Sequence, residues 1–177
     1  MEVGGRRILD RVVDAVAATT GAAPLLVANA PAAATWRRDL HTVPDVRAGL
    51  GSVGGIYTAV TAGPGPVLAV AWDMPFVTVA LLQALVEGSA GWDVFMPESG
   101  AGRVEPLCAV YGPACGPAIE RQVAAGDLKA IGFHPRVRAG RLGLERVREF
   151  GDPADLFFNV NTPDDLERAE AEWRRHA

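Results

Sequence analysis

Asp73 is the residue with the most chemistry to offer. It closes the apolar run Val67-Leu68-Ala69-Val70-Ala71-Trp72, just ahead of Met74-Pro75. The run is too short to span a membrane and rich in Val, so it reads as a strand buried on both faces that delivers one carboxylate at its end. In open α/β folds the carboxyl ends of the strands are where ligands bind. A carboxylate there suits Mg²⁺, which takes one or two protein carboxylates and leaves its other positions to water and phosphate. Asp is also a common turn initiator, and a helix is expected to open near Thr78, so Asp73 alone leaves a metal site and a turn equally open.

The second chemical feature is Arg47-Ala48-Gly49-Leu50-Gly51-Ser52-Val53-Gly54-Gly55-Ile56-Tyr57, in which four glycines precede a helix. Glycine lets backbone approach a ligand closely, and the N–H groups of a helix start favour anions or base edges. A tight loop that needs positive φ accounts for the same glycines equally well.

The remaining reactive residues exclude more than they suggest. His41, His134 and His176 are dispersed with no Ser or Cys nucleophile context, which argues against a catalytic triad. Cys108 and Cys115 match no zinc or redox spacing and read as small buried residues in a reducing compartment. Of the 17 cationic residues only Lys129 is a lysine, and the arginines are scattered over a chain of net charge −4, so no footprint for nucleic acid is present. The amino terminus has no apolar core of a signal peptide and no run reaches membrane-spanning length, so a cytoplasmic protein is expected.

The elements that must position these residues alternate in type. Ile8, Val12, Val13 and Val16 predict an amphipathic helix ending before Thr19-Thr20-Gly21, followed by a strand over Leu25 to Asn29. A short helix over Ala32 to Leu40 and a brief strand from His41 to Pro44, ending at Asp45, come next. Thr78 caps a helix to Val86. Strands at Asp93 to Met96 and Leu107 to Tyr111 flank a polar loop. Pro117 to Ala125 and Leu128 to Phe133 read as helices, Arg136 to Phe150 as an irregular or edge strand, and Leu156 to Val160 as a strand. Thr162-Pro163-Asp164-Asp165 opens a final helix through Leu166, Ala169 and Trp173. With 177 residues and 49% hydrophobic content, one domain over residues 1–177 is expected, and the β-α alternation points to a mainly parallel sheet.

Four segments together carry a resemblance: Gly54-Gly55-Ile56-Tyr57, Trp72-Asp73-Met74-Pro75, Glu105-Pro106-Leu107-Cys108-Ala109-Val110-Tyr111 and Asn159-Val160-Asn161-Thr162-Pro163-Asp164-Asp165-Leu166. In that order and at those separations they resemble the molybdenum cofactor guanylyltransferases, over nearly the whole chain. The resemblance implies a Rossmann-like, three-layer α/β fold of the nucleotide-diphospho-sugar transferase type, with a mainly parallel open sheet and helices on both faces. It implies GTP and molybdopterin as substrates, attack of the molybdopterin phosphate on the α-phosphate of GTP, and release of pyrophosphate. By the same resemblance Asp73 ligates Mg²⁺, Asp45 and the loop through Gly54 and Gly55 hold the guanosine with Asn29 nearby, and Asn159 and Asn161 face the metal and the pterin. Asp73 is accordingly expected at the carboxyl end of a central parallel strand, in one cleft with Gly54, Gly55 and Asn161.

Two departures from the family pattern stand out. Such enzymes open with a strand, a Gly-Gly, Ser and Arg-containing loop and a Lys that wrap the triphosphate, whereas this chain begins at Glu2-Val3-Gly4-Gly5-Arg6-Arg7, the segment after that loop. The first strand and the Gly-rich nucleotide loop are thus absent, and the neighbours of a central first strand are expected to be left unpaired. A start placed downstream of the true one is the favoured explanation, ahead of an inactive homologue or a partner that supplies the missing part. The second departure is Trp72, which stands where a smaller residue is usual and is expected to narrow the pocket floor. Three functions remain: guanylyl transfer to molybdopterin, cytidylyl or another related nucleotidyl transfer, and a noncatalytic pterin- or nucleotide-binding module docking to molybdoenzymes or cofactor-maturation proteins.

Overall fold

The computed structural model describes residues 1–176. A two-residue hairpin opens the chain: β1 (Glu2–Val3) pairs antiparallel with β2 (Arg6–Arg7). Gly4 and Gly5 make its turn, both at positive φ, and the indole of Trp173 packs so closely on Gly4 that a Cβ there would lie 2.2 Å from it. This Gly-Gly pair is a hairpin turn clasped by the last helix.

Helix α1 (Ile8–Thr20) follows and ends on Gly21 in the left-handed region. β3 (Leu26–Val27) and β4 (Thr42–Val43) form a small parallel sheet, with Leu26 opposite Thr42. Between them the expected helix over Ala32 to Leu40 shrinks to one 3-10 turn, Ala33–Thr35. Helix α2 (Ser52–Thr61) leads to β5 (Val67–Val70), and α3 (Val79–Gly88) starts on Thr78, whose hydroxyl accepts from the Leu81 N–H at 3.2 Å. β6 (Val94–Gly100) turns back through β7 (Arg103–Val104) to β8 (Cys108–Tyr111). After α4 (Cys115–Ala124) and a 3-10 turn at His134–Arg136 come β9 (Ala139–Leu142), α5 (Leu144–Arg148), α6 (Pro153–Leu156) and α7 (Pro163–His176).

The larger sheet runs β5-β8-β6-β9, with β7 added to the far end of β6. β8 is antiparallel to both neighbours, while β9 is parallel to β6. Alternate side chains feed two cores. Val67, Ala69, Val94, Met96, Ala109 and Tyr111 pack under α2 and α4, whereas Leu68, Val70, Phe95, Cys108 and Val110 pack toward α3 and α5. Helices on both faces of the sheet give the three-layer α/β architecture that the resemblance implies, but the sheet is mixed rather than mainly parallel: among the described residues only β6–β9 and the separate β3–β4 pair run parallel.

The two sheets lie side by side in the middle layer. α2 packs on both β3 and β5, and α1 meets β5 while its Leu9 and Val13 cover Leu26. Among the described residues β5 pairs only with β8, and β3 only with β4. β5 is therefore an edge strand with an antiparallel neighbour, where a central parallel strand was expected. Its four residues are half-buried rather than buried, because one side of the strand lacks a hydrogen-bonded neighbour.

Three further expectations change. Leu128 to Phe133 is a chain of turns, because Gly126 at φ +80° ends α4 and the buried Gln122 amide donates to the carbonyls of Asp127 and Lys129, at 3.0 and 2.7 Å. Arg136 to Phe150 divides into a 3-10 turn, a strand and a helix. Leu156 to Val160 is not a strand: Asp152 caps α6 through Ala154 N–H at 2.9 Å with Pro153 in the first turn, and the chain then runs extended without a ladder.

Candidate active site

The strand register places the candidate residues along one edge. β4 ends ahead of Asp45 and β3 ahead of Asn29. Two side chains lock these ends together: Asn29 Nδ2 donates to Asp45 Oδ2 at 2.8 Å, and the Asp45 N–H donates to Asn29 Oδ1 at 2.8 Å. Asp45 lies over the first turn of α2, where Gly54 and Gly55 sit inside the helix rather than in a loop before it. A Cβ on Gly54 would come within 3.2 Å of Asp45 Oδ2 and 3.0 Å of Leu50 Cβ, while one on Gly55 would clear Oδ1 by 4.0 Å. Gly54 thus allows a carboxylate to approach helix backbone, whereas Gly49 and Gly51, at φ +81° and +57°, make the turn that leads in. Asn29, Asp45, Gly54 and Gly55 form one group.

The ends of β3 and β5 meet through aromatic rings. Trp36, just after the 3-10 turn that follows β3, tilts against Trp72 with ring centroids 5.6 Å apart. Trp72 is 40% exposed. It reaches across to Trp36, which sets the end of β5 beside the end of β3.

Asp73 follows directly, three residues beyond the end of β5. The chain there is pinned on two sides: Ala71 N–H donates to the Leu107 carbonyl at 2.7 Å, and the Asp73 carbonyl accepts from Val160 N–H at 3.0 Å. The second bond brings the Asn159-Val160-Asn161 segment to Asp73. Val160 is fully buried, while Asn159 before it is half-buried and Asn161 after it is exposed. Asn159 Nδ2 is turned to the Phe157 carbonyl at 3.3 Å. Asn161 is exposed, with its N–H on Asp165 Oδ2 at 3.2 Å. That carboxylate also accepts from Thr162 N–H while Thr162 Oγ1 accepts from Asp165 N–H, a reciprocal cap that fixes the start of α7 directly after Asn161.

A residue to which sequence reasoning gave no role completes this group. Because β8 runs antiparallel to β5, with Val70 opposite Cys108, the start of β8 lies at the end of β5, and Glu105 stands there. Its N–H donates to the Pro97 carbonyl at 3.0 Å and its carboxylate accepts from Leu107 N–H at 3.1 Å. Burial raises the Glu105 pKa, and the charge of Asp73 adds to the effect. Burial likewise raises Asp73. Among the described residues neither carboxylate has an ion-pair partner. Two partly desolvated carboxylates with no ion-pair partner among the described residues have the chemistry that suits a hard divalent ion. No group of three or more His, Cys, Asp or Glu placed to hold a metal exists among the described residues. The sequence signal for Glu105 was faint, a lone acid before Pro106 that reads as the start of a strand.

The other titratable groups stand aside. Cys108 and Cys115 are buried free thiols, the second pushed up to about 12 by burial, and neither suits a nucleophile. Lys129 is exposed in the turns after α4. No helix among the described residues is long and apolar enough to cross a membrane.

Comparison with known proteins identifies the family. Residues 1–137 match the family model described as MobA-like NTP transferase domain. A probable molybdenum cofactor guanylyltransferase of Pelotomaculum thermopropionicum is 42% identical over 134 residues, which cover 75% of this chain and 65% of that protein, a little under two thirds of it. A molybdenum cofactor guanylyltransferase of Desulfosudis oleivorans is 33% identical over 170 residues, covering 94% of this chain and 82% of the relative. Among solved structures, molybdopterin-guanine dinucleotide biosynthesis protein A of Archaeoglobus fulgidus superposes with a TM-score of 0.81 at 29% identity, covering 99% of this chain and 89% of that one. The 4-diphosphocytidyl-2C-methyl-D-erythritol synthase of Anaerococcus prevotii, at a TM-score of 0.75 and 14% identity, shares the fold over 98% of this chain and 88% of its own. With the family model spanning most of the chain and a one-third-identical relative aligned almost end to end, the chain belongs to the MobA-like NTP transferases.

Proposed function

We propose that this protein transfers GMP from GTP to molybdopterin, giving molybdopterin guanine dinucleotide and pyrophosphate, with residues 1–177 acting as one nucleotidyltransferase domain. A phosphate oxygen of the acceptor forms the new bond to the α-phosphorus of GTP as the bond to the β-phosphate oxygen breaks. The observation that carries this reading is the pair of partly desolvated carboxylates Asp73 and Glu105, neither with an ion-pair partner among the described residues, with the Asn159-Val160-Asn161 segment bonded to the Asp73 turn.

Asp45 offers two acceptor oxygens, which match the adjacent N1–H and N2–H donors of guanine. Cytosine presents only one donor on its pairing edge, so a carboxylate here favours guanylyl over cytidylyl transfer. Asn29 holds that carboxylate in place. Asp73 and Glu105 would hold Mg²⁺, which neutralises charge on the phosphates when bound. Asn159 and Asn161 face the acceptor from the other side, their segment fixed by Val160. Such a site needs little covalent chemistry from the protein, because positioning supplies much of the rate. Two buried free thiols suit a reducing, cytoplasmic setting, and the product would pass to molybdoenzymes or to other cofactor-maturation proteins.

The test is incubation of the purified protein with GTP, molybdopterin and Mg²⁺, following pyrophosphate and the dinucleotide together. Formation of both in equal amounts, dependent on Mg²⁺ and preferring GTP to CTP, is expected. Binding of either substrate without pyrophosphate release would instead make the chain a binding module.

A further inference from the structure

Two exposed large apolar side chains stand next to candidate site residues in the chain: Trp72, 40% exposed, precedes Asp73, and Val46, 63% exposed, follows Asp45. A single apolar residue at a surface needs no explanation. Trp72, however, is held more firmly than an idle surface residue requires.

Its backbone is clamped on both flanks, by Ala71 N–H on the Leu107 carbonyl at 2.7 Å and by the Asp73 carbonyl on Val160 N–H at 3.0 Å. Its ring leans on Trp36 at a tilt of 55°. Trp36 is itself anchored: it packs against the cluster of Leu9, Val13 and Leu26, and its carbonyl accepts from Arg7 Nη1 at 2.9 Å. The Arg7 guanidinium is forked in turn onto Asp10, at 2.7 and 2.8 Å. An indole held in this way keeps much of its surface open while having little rotamer freedom left to lose, which is the condition under which an aromatic side chain binds a planar ring at low entropic cost.

The position of the ring selects its ligand. The Trp36–Trp72 contact joins the end of β3, where Asn29 holds Asp45, to the end of β5, where Asp73 follows. A nucleotide with its base on Asp45 and its phosphates at a metal on Asp73 crosses this contact. Resting on the transferase reading above, we propose that Trp72 is a stacking platform for the nucleobase and that Trp36 is its prop. Asp45 reads the edge of the base and the Trp72 indole takes its face. The pterin of the acceptor is also planar, but Trp36 approaches Trp72 from the β3 side, whereas Glu105 stands on the β8 side. Every base has a π-face, so this contact strengthens nucleotide binding without choosing among bases, and the choice is left to Asp45.

The test compares Trp72→Ala and Trp72→Phe with Trp92→Phe, which removes another exposed indole, one packed on Gly140. Trp72→Ala is expected to raise KM for GTP by about 5- to 150-fold, the range for one base stacked on an aromatic side chain, and to raise KM for CTP with it. kcat and KM for molybdopterin should stay level, Trp72→Phe should recover most of the loss, and Trp92→Phe should behave like wild type. A fall in kcat with KM for GTP unchanged, or a rise in KM for molybdopterin instead, overturns the proposal. Binding without turnover separates it from failure of the transferase reading. The chain has four indoles, Trp36, Trp72, Trp92 and Trp173, and the Nε1–H resonance lost in Trp72→Phe identifies that of Trp72. Titration with GMP in the absence of Mg²⁺ should move this resonance, whereas ribose 5-phosphate and 6-carboxypterin should not; unmoved Trp92 and Trp173 resonances report that the variants are folded. No shift with GMP, or a shift with either other probe as large as that with GMP, overturns the assignment even if turnover is observed. A shift confined to GMP in a protein that releases no pyrophosphate keeps the platform and removes the transferase reading.

Discussion

The Val160 N–H donates to the Asp73 carbonyl at 3.0 Å, and this bond joins the two most distinctive segments of the chain, 87 positions apart in sequence. Val160 is fully buried among Val3, Ile8, Val12 and Ala169, so the bond is backed by the packing of α1 and α7. The turn at Asp73 and the segment carrying Asn159 and Asn161 are therefore tied together through backbone and core. Function at this edge depends on a core assembled from both ends of the chain.

Asp73→Asn should separate activity from stability. The side chain keeps its size and loses its charge, and with it the charge match to a divalent ion. A fall in kcat on the order of 10²–10³-fold is expected, as for loss of one preorganised electrostatic contact in a reaction of this kind. Because burial raises the Asp73 pKa, the ionised form is disfavoured by the fold, so the same variant should melt higher than wild type at pH 7. Paired kinetic and calorimetric measurements check this. A variant that is inactive and also less stable would point to a structural role for the carboxylate.

Asp45→Asn should act on base selection. Asparagine can still accept from Asn29 Nδ2, so the paired strand ends remain joined, but one of the two acceptors offered to guanine becomes a donor. KM for GTP is expected to rise by about 10-fold or more, within the range for hydrogen bonds to a charged group, while the weak use of CTP improves or stays level. Competition assays with both nucleotides read this directly. Equal weakening for GTP and CTP would move base recognition away from Asp45.

Much of this site was legible in the sequence, and the parts that were not share a cause. The end of an apolar run marked Asp73, the Thr-Pro-Asp-Asp cap marked the start of α7, and the segments carrying Asn29, Asp45, Gly54 and Asn161 were each found. Local patterns failed where partners are remote. Gly54 and Gly55 read as loop because glycine disfavours helix, yet the approach of Asp45 is what requires Gly54. Leu156 to Val160 read as a strand because its apolar residues suit one, but Leu156, Phe157 and Phe158 donate back into the turn of α6 and Val160 donates to the turn at Asp73, so no ladder forms. Glu105 gave only a faint signal and the Trp36–Trp72 contact none, since the first depends on the antiparallel register of β8 and the second on two sheets meeting side by side.

Gly54→Ala and Gly55→Ala give a graded test of that approach. Alanine improves helix propensity by about 1 kcal/mol at either site. At Gly54 the new Cβ would lie 3.0 Å from Leu50 Cβ and 3.2 Å from Asp45 Oδ2, so those groups must shift; at Gly55 the Asp45 oxygen is 4.0 Å away. Gly55→Ala should therefore melt slightly higher with KM for GTP unchanged. Gly54→Ala should show little or no gain in stability and a raised KM for GTP, because the carboxylate is displaced. Identical behaviour of the two variants would mean that the carboxylate has room to relax.

Asp73 and Glu105 are both raised from ordinary values of 3.8 and 4.5, so the folded state binds their protons more tightly than the unfolded state does. Their contribution to stability is thus fully present below those ordinary values and is lost as pH rises through the higher, folded-state pKa of each group. Divalent metal binds the ionised pair and should restore the loss. Mg²⁺ is accordingly expected to leave the melting temperature unchanged at pH 4 and to raise it at pH 7.5. The increment should shrink in Asp73→Asn or Glu105→Gln and vanish in the double variant. Calorimetry at the two pH values with and without Mg²⁺, at constant ionic strength, measures it. A stabilisation that is the same at both pH values, or that survives in the double variant, would place the metal elsewhere and leave the two carboxylates as a costly buried pair without a ligand.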